Sequence, residues 1–271
     1  MNASDPPQLH QADFEKISRL AYDNFGLNLA DGKQALVSAR LAKEMRRLGY
    51  ESFTDYYRQV CADSTGQSLM GLIDALTTNY TSFLREPQHF ELLRSLAGTE
   101  LRHANPLLVW SAACSSGEEP YSIAMTLAQA ARPARILATD ISTRVLETAR
   151  RAIYSAEKLE PFPDPWKRAF LLRGTGEASG KFQIKREVRA LVEFRRLNLL
   201  DHASPGQFHF IFCRNVMIYF DRPTQQRIAG RLAHSIHPGG YLFIGHSETL
   251  NGLDQPLRYV RPSVYRRENK A

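Results

Sequence analysis

The sequence predicts an α/β protein: a parallel-sheet domain carrying a small inserted β subdomain, preceded by a small all-α N-terminal domain. Three observations predict it. Over residues 1–75 apolar side chains recur every three or four positions, the period of amphipathic helices. From Leu107 onward, short apolar runs alternate with helix-length stretches, the order that builds a parallel sheet with helices on both faces. Between Ala156 and Leu191 neither pattern holds. That stretch is rich in Pro, Gly and charge, with short β-prone pieces such as KFQIKREV, and reads as an insertion.

The elements follow in order. FEKISRLAYDNF, ALVSARLAKEMRRLGY and SFTDYYRQV are the helices of the first domain, with Asp31-Gly32 a turn before the second and Gly49 its stop. Residues 76–106 read as a linker, and residues 107–271 as the second domain. There LLVWSAAC is a short apolar run without helical period, and a helix is expected over Glu118–Ala131. ARILATD is strand-like, ISTRVLETARRAIY helical, VEFRRLN and FHFIFC strand-like, PTQQRIAGRLAHSI helical, and YLFIGHSE, after HPGG, a further strand.

Composition narrows the function classes. The 271 residues hold 43% hydrophobic and 23% charged side chains, which excludes wholesale disorder. No stretch approaches the roughly 18–20 apolar residues a membrane span needs, so membrane insertion is not expected. The polar start lacks a signal-peptide layout, and the three scattered cysteines fit neither a disulfide framework nor a zinc ribbon; a cytoplasmic location is expected. The net charge is +7. The first 75 residues carry eight basic and ten acidic groups, so the remainder holds a surplus of nine positive charges, suited to acidic partners. Arg40, Lys43, Arg46 and Arg47 form a helical stripe that is either a solvated face or a grip on an acidic helix.

The loop after the first strand is the expected ligand loop. It runs Ser111-Ala112-Ala113-Cys114-Ser115-Ser116-Gly117-Glu118-Glu119-Pro120. A dinucleotide site would place G-x-G-x-x-G there and leave the helix N-terminus free for phosphate. Here one glycine is present, and Glu118 and Glu119 would satisfy the helix dipole and repel phosphate. Small residues still let a ligand approach the backbone. These features point to a phosphate-free nucleoside cofactor, either neutral or cationic, and S-adenosylmethionine fits. Asp140 ends the next strand, 23 residues beyond Gly117, near the ~20-residue spacing of a ribose-binding acid. It reads equally as a cap of the following helix.

The segments TTNYTSFLRE, WSAACSSGEEPYS, ATDIS, FCRNVMIYFD and GGYLFIGHSE occur in one order and, with the helical front domain, closely resemble the CheR family of chemotaxis receptor glutamate O-methyltransferases. The likeness covers nearly the whole chain. It implies a Rossmann-like, S-adenosyl-L-methionine-dependent methyltransferase domain with an inserted β subdomain over about 156–191, and a linker that contributes to the cofactor site. The product would be S-adenosyl-L-homocysteine, and the substrates glutamates on the cytoplasmic domains of chemoreceptors. The resemblance makes Asn79, Thr81 and Arg85 cofactor or catalytic contacts, Glu118 a partner of the methionine ammonium and Asp140 the ribose ligand. It sets Asn198 and Leu199 beside the adenine, Arg214 and Asn215 at the methyl-transfer end, and Tyr219 facing the sulfonium. His209 replaces a common Asp, which speaks against a cofactor role at that position.

Glutamate, with a pKa near 4.3, needs no base to be nucleophilic at neutral pH, so alignment and exclusion of water carry the chemistry. Arg85 and Arg214 suit orientation of a carboxylate, and one guide is preferable to two, since a tight pair would favour the ground state over a transition state whose charge disperses. Tyr219 could meet the sulfonium with its π face or its hydroxyl oxygen. Each has a plainer reading: Arg85 pairing with Glu86, Tyr219 as packing, Asn215 as a turn residue. A His246-Ser247-Glu248 triad is disfavoured, because triad members meet from separate elements. A nucleic-acid methyltransferase would need a stacking platform or flipped-base pocket, for which no aromatic-basic cluster is visible, so no nucleic acid partner is expected. A non-catalytic module that signals through cofactor occupancy is the other alternative. No metal is expected, and with no oligomerisation seam visible the chain is expected to be a monomer.

Overall fold

The computed structural model describes residues 7–29, 32–77, 80–201 and 204–268. Asp31 and Asn79, singled out from the sequence, lie outside them. The chain divides into two units, the first of which holds the N-terminal helices and also takes in Tyr219–Asp221.

In the first unit the helices are α1 (Gln11–Phe25), α2 (Gln34–Leu48), α3 (Phe53–Ala62) and α4 (Gln67–Leu76). Their three-and-four spacing turns Phe14, Ile17 and Ala21 of α1, Leu41 and Met45 of α2, Tyr56 and Val60 of α3, and Leu72 and Ile73 of α4 inward, all buried. Gly49 ends α2 at φ 79°, a left-handed cap that returns its N–H to the Arg46 carbonyl. Ser52 caps α3 by accepting from the Asp55 N–H at 3.1 Å. Of the basic stripe on α2, Arg40 is half-buried and donates to the Leu76 carbonyl, and Arg47 pairs with Glu44 at 2.6 Å. Lys43 and Arg46 are exposed.

The second unit begins with α5 (Pro87–Gly98), followed by β1 (Leu107–Ala112), α6 (Glu118–Gln129), β2 (Ala134–Asp140) and α7 (Thr143–Arg151). Then come β3 (Ile153–Ser155), α8 (Asp164–Phe170), β4 (Leu171–Arg173), β5 (Lys181–Ile184) and α9 (Arg186–Arg189). It finishes with β6 (Val192–Arg196), β7 (Phe208–Cys213), α10 (Arg222–His234), β8 (Ile236–Ile244), β9 (Leu257–Arg261) and β10 (Val264–Arg267). Among the described residues the main sheet runs β6-β2-β1-β7-β8-β10-β9. It is parallel from β6 to β8, and β10 and β9 close the edge antiparallel.

That order fixes the ligand edge. The chain leaves β1 toward β2 on one side and returns through β7 on the other, so the topology reverses between β1 and β7. A crevice opens beyond the carboxyl ends of strands at such a switch point. Everything that follows β1, β2 and β7 in sequence therefore arrives at one edge.

Several details depart from the sequence reading, beginning with α4 and with α5, which lies inside the stretch read as a linker. The helix expected through Tyr154 stops at Arg151, where Ala152 turns left-handed at φ 54° and the chain enters β3. Strand β8 starts at Ile236 and includes the HPGG segment expected to precede it. The β9/β10 hairpin was not foreseen; only Leu257 of β9 is buried, so its apolar signal is weak. The inserted sheet has the order β3-β5-β4 and is antiparallel. Phe83 packs onto it through Tyr154 of β3 and Phe182 of β5, with ring centroids 4.9 and 5.8 Å apart.

Candidate functional site

The loop from β1 to α6 is bent by three left-handed residues, Ala113 (φ 66°), Ser115 (φ 49°) and Gly117 (φ 96°). At Gly117 only glycine fits, because a Cβ there would lie 2.8 Å from the Ala149 Cβ and 3.0 Å from the Tyr154 hydroxyl. Glu118 and Glu119, adjacent at the start of α6, take different partners. Glu118, fully buried, accepts from the Ser116 hydroxyl at 2.7 Å and from the Lys158 ammonium. Glu119 accepts from the Ser111 hydroxyl at 2.7 Å and from Arg214 at 3.2 Å. The two acids expected to share the helix dipole therefore serve different neighbours.

Asp140, nearly buried at the end of β2, joins the same edge. Its Oδ2 accepts from the Ser115 N–H at 2.8 Å and its Oδ1 from the Ser142 N–H at 3.0 Å. The cap of α7 is Ser142, whose hydroxyl oxygen accepts from the Val145 N–H at 3.3 Å, so the helix-cap alternative for Asp140 passes to its neighbour. Asn198 and Leu199, just beyond β6, line a cavity of about 210 Å³ with Trp110, Ile228 and Arg231.

Arg214 follows β7 directly and is the most engaged cation of this edge. Its guanidinium donates to Glu86 at 2.9 Å, to Glu119 at 3.2 Å and to the Arg85 carbonyl, and stands 5.7 Å over the Phe90 ring. Burial, the strongest influence on Glu86, works to raise its pKa, but the Arg214 charge and the His246 N–H outweigh it and hold the carboxyl below its usual range. At Glu119 burial prevails over Arg214 and Ser111, and the pKa is raised. His89 is depressed to about 4, first by burial and then by Arg214, so its imidazole is neutral at pH 7.

Arg85 is different. Half-buried, it donates to the Tyr80 carbonyl at 3.2 Å and lies 5.8 Å over the Tyr80 ring; the Glu86 carboxylate beside it in sequence goes to Arg214 instead. Thr81 is half-buried in the same segment. Asn215 is left-handed (φ 56°), as a turn residue would be, and its N–H donates to Glu248 at 2.9 Å. Glu248 also collects the N–H groups of Gly245 (2.6 Å) and Met217 (2.7 Å), which leaves it a loop clamp rather than a triad member. His209 accepts from the Leu108 N–H at 2.9 Å, a structural bond between strands. Tyr219 groups with the helical unit, where its carbonyl accepts from the Asn28 N–H at 2.8 Å. Sequence reasoning missed the roles of Glu86, Glu119, His89 and Lys158. The available signal was a Glu-Glu pair in one helical turn and an arginine directly after an apolar strand.

A family model of the CheR methyltransferase SAM-binding domain matches residues 79–265, and one of the CheR all-alpha domain matches residues 12–77. The chain belongs to the CheR methyltransferase family. Among its relatives, "Chemotaxis protein methyltransferase 2" of Pseudomonas aeruginosa is 45% identical over 259 residues, covering 93% of this chain and 92% of that protein. The chemotaxis protein methyltransferase of Escherichia coli is 41% identical over 263 residues, covering 95% and 91%. As a CheR protein the chain uses S-adenosylmethionine. The donor set fits that molecule: a glycine-tight loop, a buried carboxylate at the start of α6 and a second at the end of β2. Among the described residues no helix is long and apolar enough to cross a membrane.

Proposed function

We propose that this chain transfers the methyl group of S-adenosylmethionine to glutamate side chains on the cytoplasmic domains of chemoreceptors, giving methyl esters used in sensory adaptation. The observation that carries this reading is the pair of CheR family matches over residues 12–77 and 79–265, together with relatives named chemotaxis protein methyltransferases over more than nine-tenths of the chain. When bound, S-adenosylmethionine supplies an electrophilic methyl on a sulfonium.

The chain's own residues divide the remaining work. Glu118 takes the methionine ammonium and Asp140 the ribose hydroxyls, both as charge-assisted acceptors. Asn198 and Leu199 border the adenine, and Asn79, Thr81 and Asn215 complete the contacts. Arg85 is the guide for the incoming carboxylate, because its guanidinium is half-exposed and rests on a carbonyl and a ring. Arg214 fixes the wall of the site: with two carboxylates already on it, further pairing with substrate would be redundant. Tyr219 offers its ring toward the sulfonium. No residue has to remove a proton, since the acceptor is already ionised.

Methyl-labelled cofactor incubated with the protein and a receptor cytoplasmic fragment is expected to give base-labile label on glutamates. Base-stable label, label in RNA, or none across a panel of receptors would refute the reading. Arg85→Ala is expected to lower turnover more than cofactor affinity; the reverse would make Arg85 a cofactor ligand only.

A further inference from the structure

The Arg214 cluster shares Glu86 with two histidines that the methyl-transfer reading does not use. Glu86 immediately precedes α5, His89 sits in the first turn of α5, and His246 follows β8. We propose that Glu86, His89 and His246 form a binding site for a divalent transition-metal ion of the zinc, cobalt and nickel type. The site goes beyond the proposed function and does not depend on which acceptor is methylated.

The donor chemistry comes first. Two imidazole nitrogens and one carboxylate oxygen suit borderline cations, whereas calcium and magnesium want oxygen alone. The geometry is close to what such an ion needs. One donor atom from each residue lies within 4.8 Å of the others. The His89 Nδ1 is 3.4 Å from the Glu86 Oε2, and the His246 Nε2 is 3.8 Å from the same oxygen. Two ligands on a tetrahedral zinc at 2.0–2.1 Å stand about 3.4 Å apart. The first edge is thus already at its bound length. The second needs a few tenths of an ångström and the third, between the two histidines and within 4.8 Å, needs a larger swing, which falls to the half-exposed His246 side chain.

An independent observation points to a ligand. The His89 side chain is 3% exposed, and neither of its ring nitrogens has a hydrogen-bond partner. A buried polar atom left unpaired costs free energy, and native proteins rarely leave one so. Packing is an insufficient reason for a histidine there. Its ring meets Phe243 at 5.4 Å and His246 at 5.0 Å, contacts a phenylalanine would make without the desolvation cost. The nitrogen facing Glu86 is the one a metal would satisfy.

Arg214 is the objection to meet, since it holds the same carboxylate oxygen at 2.9 Å. Glu119 answers it. One guanidinium against two carboxylates leaves the immediate surroundings net negative, and Arg214 keeps Glu119 and the Arg85 carbonyl if Glu86 turns toward a metal. The competition sets an affinity below that of a closed structural zinc site, and three protein ligands leave a fourth position for water.

The test uses the full chain, free of any histidine tag, titrated with Co²⁺ by visible absorption and with Zn²⁺ by calorimetry. The expected result is one saturable equivalent of Co²⁺ with the intense d–d bands of a four-coordinate site, displaced by Zn²⁺. Because His89 is buried, the deciding variant is the half-exposed His246→Ala, with Glu86→Gln beside it; each is expected to weaken Zn²⁺ binding at least tenfold. His237→Ala, at the opposite end of β8, is expected to bind as the parent does. Absence of saturable Co²⁺ binding, or a loss under tenfold in His246→Ala, overturns the proposal.

Discussion

The two ends of the ligand edge handle buried charge in opposite ways. At the Glu118 end, one fully buried carboxylate meets a single flexible ammonium from the inserted subdomain, Lys158, whose side chain is 40% exposed. At the Arg214 end, a guanidinium with 3% exposure is fixed by two carboxylates, a carbonyl and an aromatic face. A lysine is a point charge on a mobile stem that leaves easily, whereas an arginine fork saturated with partners does not. If Glu118 takes the ligand ammonium as proposed, the first end exchanges one cation for another, while the second holds its shape whatever binds beside it.

The largest effect is expected where the fixed end is broken. Arg214→Met leaves the partly buried Glu86 and Glu119 without a counter-charge, and loss of one partner from such a cluster costs up to about 3–5 kcal/mol. Urea denaturation should show it, and a loss under about 1 kcal/mol would mean that Arg214 is no more than a surface-like pair. Next comes Gly117→Ala. A methyl group would land 2.8 Å from Ala149 on a left-handed residue, which costs about 2–4 kcal/mol in strain and overpacking and should loosen the β1–α6 loop and its cofactor affinity together. Unchanged melting with unchanged affinity would show that the loop has room the geometry denies.

How much of this was legible before the structure depends on sequence separation. The β1 loop and Asp140 were readable because strand, small-residue loop, acidic helix start and next strand follow one another within about thirty residues, and each has a local physical signature. The Arg214 end was not. Glu86, Glu119, Arg214 and His246 come from four places spread over 160 positions, and only the reversal of strand order between β1 and β7 brings them together. The same holds for Lys158: nothing in AEKL announces that its ammonium reaches Glu118. The β9/β10 hairpin escaped for a different reason, its outer strand being almost wholly exposed and so without a clear alternating pattern. Asn79 lies outside the described residues, and Tyr219 stands with the helical unit, so for both the contact with cofactor rests on the family resemblance.

Asp140→Ala probes the exchangeable end directly. The ribose hydroxyls lose a charged acceptor, and the Ser115 and Ser142 N–H groups lose theirs, at about 1.5–3 kcal/mol, so S-adenosylmethionine should bind at least tenfold more weakly by calorimetry. Unchanged affinity would remove the ribose role and leave Asp140 as a loop brace.

The smallest effect is the one that separates the two ends most cleanly, because its sign is unusual. Lys158→Ala deletes the cation paired with Glu118, the carboxylate proposed to take the ligand ammonium. A partly exposed pair of this kind contributes about 0.2–1 kcal/mol, and that amount no longer has to be given up when a cationic ligand takes its place. Cofactor affinity should therefore rise, by about two- to fivefold. Glu118→Gln should lower affinity, and adding Lys158→Ala to it should change little further, since the carboxylate is the lysine's charged partner and its other contact is the Tyr154 ring at 5.9 Å. If Lys158→Ala weakens binding instead, the ammonium supports the bound state, and the contrast between an exchangeable end and a fixed end fails at the residue on which it depends.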